Sequence, residues 1–318
     1  MVFSKKKRNI FLNLITAVFT IGIFYFVFRT IDLKFFLEES KNINFYWLAV
    51  AYLFLLLPKS LTALRWQILI ADYKKISFKE SLKLQLVTDA ISILIPLKMG
   101  ELVSAFYDND EKYTPKIGAG ASVFEKILDF VFIFLLSMMG IAYFWGKDAI
   151  SMLLLFFILF FIFLVIFLKS KNGIIFSKAA EKIRLLKRFS DVTQIIFLYL
   201  STIQKNKKKL STVLFISLAS CCFSILQGCL IFGSINTEIN PMLLLGAIPI
   251  GILVAAIPVT FFGIGTRDAV FVFLLGPYLA SASIVLFGIL FTLRYVIMAA
   301  IGLFYIKGVF KKVKLPVY

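Results

Sequence analysis

Residues 86–106 read LVTDAISILIPLKMGELVSAF. The stretch is apolar enough to enter a bilayer, yet it holds Asp89, Lys98 and Glu101 and is interrupted by Pro96 and Gly100. A second stretch, IPIGILVAAIPVTFFGIGTRDAVFVF at 248–273, repeats the pattern with Pro258, Gly263, Gly265, Arg267 and Asp268. Unwound backbone at membrane depth is tolerated only where it is buried in protein or lines a cavity. Both stretches therefore point to polar sites inside a membrane protein.

The rest of the chain supplies the membrane. Of its 318 residues, 61% are hydrophobic and 16% charged, against about half and about a quarter in a soluble domain. Runs such as IFLNLITAVFTIGIFYFVF and ISMLLLFFILFFIFLVIFL reach the roughly 20 residues that cross about 30 Å of hydrocarbon. The expected class is an all-α polytopic membrane protein; a β-barrel would show short alternating segments instead. The first apolar run is too long for a signal peptide and lacks a small-residue cleavage site, so it reads as an uncleaved span.

The net charge of +18 lies mostly beside the spans, where it reports topology and contact with anionic inner-leaflet lipid rather than nucleic acid. Histidine is absent, which removes imidazole metal ligands, histidine general bases and Ser-His-Asp chemistry together. No cofactor is implied. Cys221, Cys222 and Cys229 share one apolar run and read as small buried hydrophobes. The segment YDNDE at 107–111 contains an Asp-x-Asp, but it sits in a short polar loop and reads as a solvated acidic turn rather than a metal site.

Charge bias sets the topology. The N-terminal tail, residues 65–83, 169–209 and 307–318 are basic, whereas residues 29–44 balance Arg29, Lys34 and Lys41 against Asp32, Glu38 and Glu39. Both termini are then cytoplasmic, in the cytoplasmic (inner) membrane, with six full spans at about 10–28, 45–64, 118–146, 149–168, 210–232 and 283–306. A single crossing at 84–97 would place the basic 169–209 segment outside, so residues 84–97 are expected to enter and leave on the cytoplasmic side as a re-entrant hairpin broken near Pro96. Residues 242–258 and 267–280 fit either a hairpin from outside or two short spans.

The whole chain, 1–318, reads as one transmembrane domain. Its halves, 10–146 and 149–306, each run as two spans, a broken hairpin and a final span. Three spans precede the second half, so it is inverted. The two Ile-Pro breaks align once the basic cytoplasmic insertion at 169–209 is allowed for. This is the pattern of inverted-repeat transporters, whose broken helices meet near the midplane.

An ionisable group at membrane depth costs at least about 2.5–3.5 kcal/mol and needs a partner or a wet cavity. The acids in this position are Asp89, Glu101, Glu125, Asp129 and Asp268; the bases are Lys59, Lys98, Lys126, Arg267 and Arg294. Glu125 and Asp129 are four apart and share one helix face. Arg267, Arg294, Glu101 and Lys98 are candidates for binding an anionic group, which Arg holds with a planar fork of donors. Glu125, Asp129, Asp268, Lys126 and Asp89 are candidates for coupling or for ion pairs. The structural alternative, acids and bases pairing only to hold helices together, stays open at each of them.

The segments LTALRWQIL (61–69), IPLKMGELVSAF (95–106), FEKILDF (124–130) and IPVTFFGIGTRDAVF (257–271) together resemble the flippase-like family named after the transmembrane domain of lysylphosphatidylglycerol synthases. The resemblance covers nearly the whole chain. By motif it places Arg65, Trp66, Pro96, Gly100, Glu101, Glu125, Asp129, Gly263, Gly265 and Arg267 at family positions. Asp268 stands where Glu is usual, Lys126 where Arg is usual, and Ser104 where an Arg often follows the Gly-Glu. The resemblance implies movement of phospholipid or polyprenyl-phosphate-linked head groups between leaflets. The aminoacyl-transferase domain of the synthases is not in the sequence, so synthesis of aminoacylated lipid is not expected, and the chain is read as a non-enzyme. A secondary transporter of a small anionic solute is the alternative, and a transferase using a lipid-linked sugar a more remote one. Oligomeric state is open, a homo-oligomer included.

Overall fold

The structure, a computed structural model, describes residues 33–94, 100, 103–107, 112–146, 148–149, 151, 154–155, 158, 206–256, 263 and 265–313. Its helices are α1 (Leu33–Lys41), α2 (Phe45–Phe54), α3 (Leu56–Ile70), α4 (Phe78–Leu94), α5 (Pro115–Trp145), α6 (Lys207–Gly233), α7 (Pro241–Ala255), α8 (Thr266–Leu275) and α9 (Ser281–Phe310). Among the described residues, four units are long and apolar enough to cross a membrane: α2 with α3 (Phe45–Ile70), α5, α6 and α9. No strand occurs among the described residues, apart from one isolated bridge between Tyr107 and Val313. The protein is an all-α, multi-pass membrane protein.

Local chemistry explains where the helices begin and bend. Asn44, Asn206 and Asn240 cap α2, α6 and α7 by accepting from Trp47 N, Lys209 N and Met242 N, which satisfies amide groups that a helix start leaves open. Pro115 and Pro241 occupy the first turn, where a missing N–H costs nothing. α2 and α3 part at Leu55 because the ring of Pro58 clashes with the carbonyl four residues before it. Gly146 ends α5 at φ 81°, a conformation side chains disfavour.

The expected span at 45–64 is present as α2 with α3, and those at 118–146, 210–232 and 283–306 each as one helix, most of them longer at one or both ends. The expected span at 10–28 lies outside the described residues, as do most of 149–168 and the 169–205 part of the insertion. The neutral segment 29–44 is not all loop. It contains α1, whose Phe36 packs against the core; nine residues are too short to stand out from composition, and packing against α9 holds them.

Side-chain contacts distinguish the two ends of the bundle. At one end Asn44 N donates to Ser234 O at 2.7 Å and Asn236 Nδ2 to Asn42 O at 2.8 Å. Trp145 stacks on Phe273 there, and Tyr46, Trp47, Tyr143 and Tyr278 are exposed, as in an aromatic interfacial belt. The other end is basic: Lys209 pairs with Asp72 and Lys312 with Glu80, at 2.6 and 2.7 Å.

α4 packs chiefly on α9, and α7 chiefly on α5, while α3 and α6 pack on each other. Small residues allow both of the first two crossings. Gly302 of α9 lies against the Leu86 carbonyl and Ala90 of α4, and Gly246 of α7 meets Gly140 of α5 backbone to backbone. Close backbone approach of this kind is how helices associate without a hydrophobic drive between them. Past α4 the chain folds back, so that Gly100 is pressed on Ile91 and Ser92; past α7, Gly263 is pressed on Ala255. α4 starts at the basic end beside Lys312, and Tyr107 is again beside Lys312 and Val313. α7 starts where Asn240 meets Tyr143, and α8 carries Phe273 onto Trp145 at that same aromatic end. Pro96 and Pro258, the expected breaks, lie outside the described residues.

Candidate functional site

The buried charges form two clusters joined by one helix. In the first, Arg65 at the C-terminal part of α3 is 1% exposed. Its Nε donates to Glu125 Oε1 at 2.9 Å, its Nη1 to Asp129 Oδ1 at 2.6 Å, and its Nη2 to Asp129 Oδ2 at 3.2 Å. Nη1 also donates to Ser217 Oγ on α6 at 3.0 Å. The i, i+4 spacing of the two acids on α5 brings both carboxylates to one guanidinium. Lys126 lies 3.7 Å from Asp129 at the half-exposed edge of this cluster.

The second cluster surrounds Phe291. Arg267, in the first turn of α8, donates from Nε and Nη2 to Asp268 Oδ1 at 2.9 and 2.6 Å, and from Nη2 to Gly288 O and Thr292 Oγ1 at 3.0 and 2.7 Å. Asp268 Oδ2 accepts from Gly265 N at 2.9 Å, a favourable place for a carboxylate at a helix start. Gly263 and Gly265 have φ of 70° and 91°, so glycine supplies the turn into α8 without strain. Arg294 of α9 donates to Gln227 Oε1 at 3.1 Å, Ser224 Oγ at 3.4 Å and Tyr295 Oη at 2.7 Å. Both guanidiniums lie over the Phe291 ring, Arg294 at 3.7 Å and Arg267 at 4.8 Å from its centroid, where the ring quadrupole attracts a cation. Arg267 Nη1 and Arg294 Nε are buried and have no hydrogen-bond partner among the described residues.

α6 connects the clusters. Ser217, Ser220, Ser224 and Gln227 recur at helical spacing along one face and touch Arg65, the Pro58 carbonyl and Arg294 in turn. At about 1.5 Å per residue the two arginine sites are roughly 10–15 Å apart along its axis.

The expected candidates are thus sorted by the packing. Arg267, Arg294 and Asp268 come together. Glu125 and Asp129 do not join them; both pair with Arg65 instead. The reason is geometric, since α5 and α3 present these side chains to each other while Asp268 lies next to Arg267 in the chain. Asp89 pairs with Lys59 between α4 and α3. Gly100 is buried against α4, whereas Glu101 and Lys98 lie outside the described residues. Among the described residues no group of three His, Cys, Asp or Glu side chains is placed to hold a metal. Cys222 is exposed rather than buried, and Cys221 and Cys229 are partly so.

A search confined to charges inside predicted spans passes over Arg65, because the second span is expected to stop at 64. The apolar run continuing to Ile70 was the available signal. Gln227, Phe291 and Thr292 are neutral and carry no sequence signal of their own.

A family model described as the lysylphosphatidylglycerol synthase TM region matches residues 13–302. The chain belongs to that family. Comparison with curated proteins found no match. Arg65, Glu125, Asp129, Arg267 and Arg294 all fall inside the matched range, so both buried clusters belong to the family's membrane region.

Proposed function

We propose that this protein translocates an anionic lipid, or a lipid-linked head group, between the leaflets of the cytoplasmic membrane. The observation that carries the reading is the pair of buried arginines around Phe291, each with an N–H that has no partner among the described residues. The family supports it, being a membrane region related to a phospholipid-modifying synthase. Work on the head group would consist of binding and movement, with no bond made or broken. The basic end faces the cytoplasm, as the inside-positive bias requires, and both termini lie on that side.

The alternating route would come from an inverted repeat. The helix beginning at Phe45 and the helix beginning at Lys207 are 162 positions apart, and the same shift relates Pro58 to its contact Ser220, Pro96 to Pro258, and Gly140 to Gly302. The crossings agree with it, since α4 on α9 and α7 on α5 exchange under that shift. Residues 78–107 and 241–278 are then hairpins entered from opposite faces, each returning to the end where it began.

The near-complete burial of Arg267 and Arg294, 1% and 5% exposed, also favours a second reading, a closed site for a small anionic solute. Translocation of a fluorescent anionic phospholipid in proteoliposomes separates the two. Wild type is expected to move the lipid and Arg267→Ala to lose the activity while still folding. Uptake of a soluble anion without lipid movement overturns the first reading, and an Arg267→Ala protein that does not fold makes Arg267 a helix staple. Mass spectrometry of co-purifying lipids names the head-group class by the lipid that the variant loses.

A further inference from the structure

Arg65 and Arg294 are neutralised differently. Under the 162-residue shift, Arg65 corresponds to Gln227, Glu125 to Phe287 and Asp129 to Phe291. In the first half, a cation on α3 meets two carboxylates on α5. In the second half the equivalent helices, α6 and α9, meet through Gln227 and Arg294 at 3.1 Å. The cation has changed sides and the acids have become phenylalanines. Ser224 and Tyr295, the other described partners of Arg294, are hydroxyl-bearing and neutral.

A buried guanidinium without an opposite charge is costly, since the desolvation of an ion in protein interiors amounts to several kcal/mol. Among the described residues one carboxylate, Asp268, serves the pair of arginines at Phe291, and it is bonded to Arg267. Among the described residues the cluster therefore holds one surplus positive charge, and two of its buried N–H groups, Nη1 of Arg267 and Nε of Arg294, have no partner there. Unsatisfied buried donors are rare in folded proteins and call for a partner. Arginine in pairs favours a multidentate oxyanion over halide or a neutral amide.

We propose that Arg294 and Arg267 flank an oxyanion seat, filled by one phosphate-type group that does for Arg294 what Glu125 and Asp129 do for Arg65. The seat deepens the reading given above and rests on it for the kind of molecule that carries the phosphate. A lipid head group and free phosphate share the recognised chemistry. Gln227 and Ser224 hold Arg294 in place from α6 and are positioning residues.

The test restores the missing acid. Purified full-length protein in neutral detergent is melted with inorganic phosphate, with dioctanoyl phosphatidylglycerol, or with dioctanoylglycerol, which lacks phosphate. Wild type is expected to melt higher with a phosphate-bearing probe and not with dioctanoylglycerol. Gln227→Glu and Ser224→Asp each place a carboxylate beside Arg294. Whichever of them folds is expected to melt higher than wild type without probe and to bind the phosphate-bearing probe about tenfold or more weakly, because a charge-assisted hydrogen bond is already taken. A response to phosphatidylglycerol alone assigns the seat to lipid; a response to both probes assigns it to phosphate in general. A folded carboxylate variant with the wild-type response overturns the seat, as does wild type responding to neither phosphate probe. If the variants lose phosphate binding but wild type moves no lipid in proteoliposomes, the seat stands and the translocator reading fails.

Discussion

Arg65 holds Asp129 by two parallel hydrogen bonds, Nη1 to Oδ1 at 2.6 Å and Nη2 to Oδ2 at 3.2 Å, across 64 residues of chain. This fork-to-fork geometry is the strong form of the ion pair. It joins α3 to α5, and through Ser217 to α6. None of the side-chain polar atoms of Arg65, Glu125 and Asp129 is both buried and without a partner.

Breaking that cluster from one side leaves buried Glu125 and partly exposed Asp129 without their cation. Arg65→Ala is expected to cost about 3–5 kcal/mol, seen as a collapse of the monodisperse peak and of the melting midpoint in detergent. Arg65→Lys keeps the charge but not the fork, and is expected to recover only part of the loss. A wild-type midpoint in Arg65→Ala would show that the cluster does not hold the helices.

The glycine crossings give a second expectation. Gly302→Leu places a side chain into the Leu86 carbonyl and Ala90, and Gly140→Leu drives α5 off Gly246. Both are expected to lower stability by the 1–3 kcal/mol, or more, typical of overpacking. Gly308→Leu, with nothing within 4 Å of its Cβ position, is the control and should leave the midpoint unchanged. Equal losses at all three positions would mean that helix identity, and not the crossing, matters.

Asp268 offers a third. Its carboxylate accepts from Arg267 and from the Gly265 amide. Asp268→Asn removes the described counter-charge of Arg267, so a lower midpoint without ligand is expected. The same substitution makes the Phe291 cluster more positive, so a larger rise in midpoint with phosphatidylglycerol should accompany it. A loss of stability with no larger response would confine Asp268 to the start of α8.

The basic end predicts a pH dependence. Lys312 Nζ donates to Glu80 at 2.7 Å and the Ser77 amide donates to it at 3.2 Å, which holds the Glu80 carboxyl below its ordinary value. A lowered pKa in the folded state contributes stability that is full above the unfolded value, about 4.3, and is lost as pH falls through the folded one. The hydrogen bond from Lys312 raises the lysine in turn, and its share is lost only as pH climbs past the folded ammonium value, above about 10.4. Both groups are solvent-screened, so the gap between wild type and Glu80→Gln at pH 7 should stay below about 1 kcal/mol. Melting curves toward pH 3.5 should show that gap closing.

The sequence by itself determined the class of the protein and the rough position of its helices. Hydrophobic length is a local property, and so are the caps at Asn44, Asn206 and Asn240 and the bend before Pro58. The breaks near Gly100 and Gly263 were legible for the same reason, since breakers inside an apolar run conflict with a continuous helix. α1 was not legible, because nine residues gain their helicity from packing on α9. Which cation meets which anion was decided by the tertiary structure alone. Arg65 reaches Glu125 and Asp129, and Arg294 reaches neutral Gln227, because the packing of α3 on α5 and of α6 on α9 brings those faces together. Charge in a sequence states that a partner is required; only the packing of distant helices chooses it, and at Arg294 that choice leaves a buried cation without a carboxylate among the described residues.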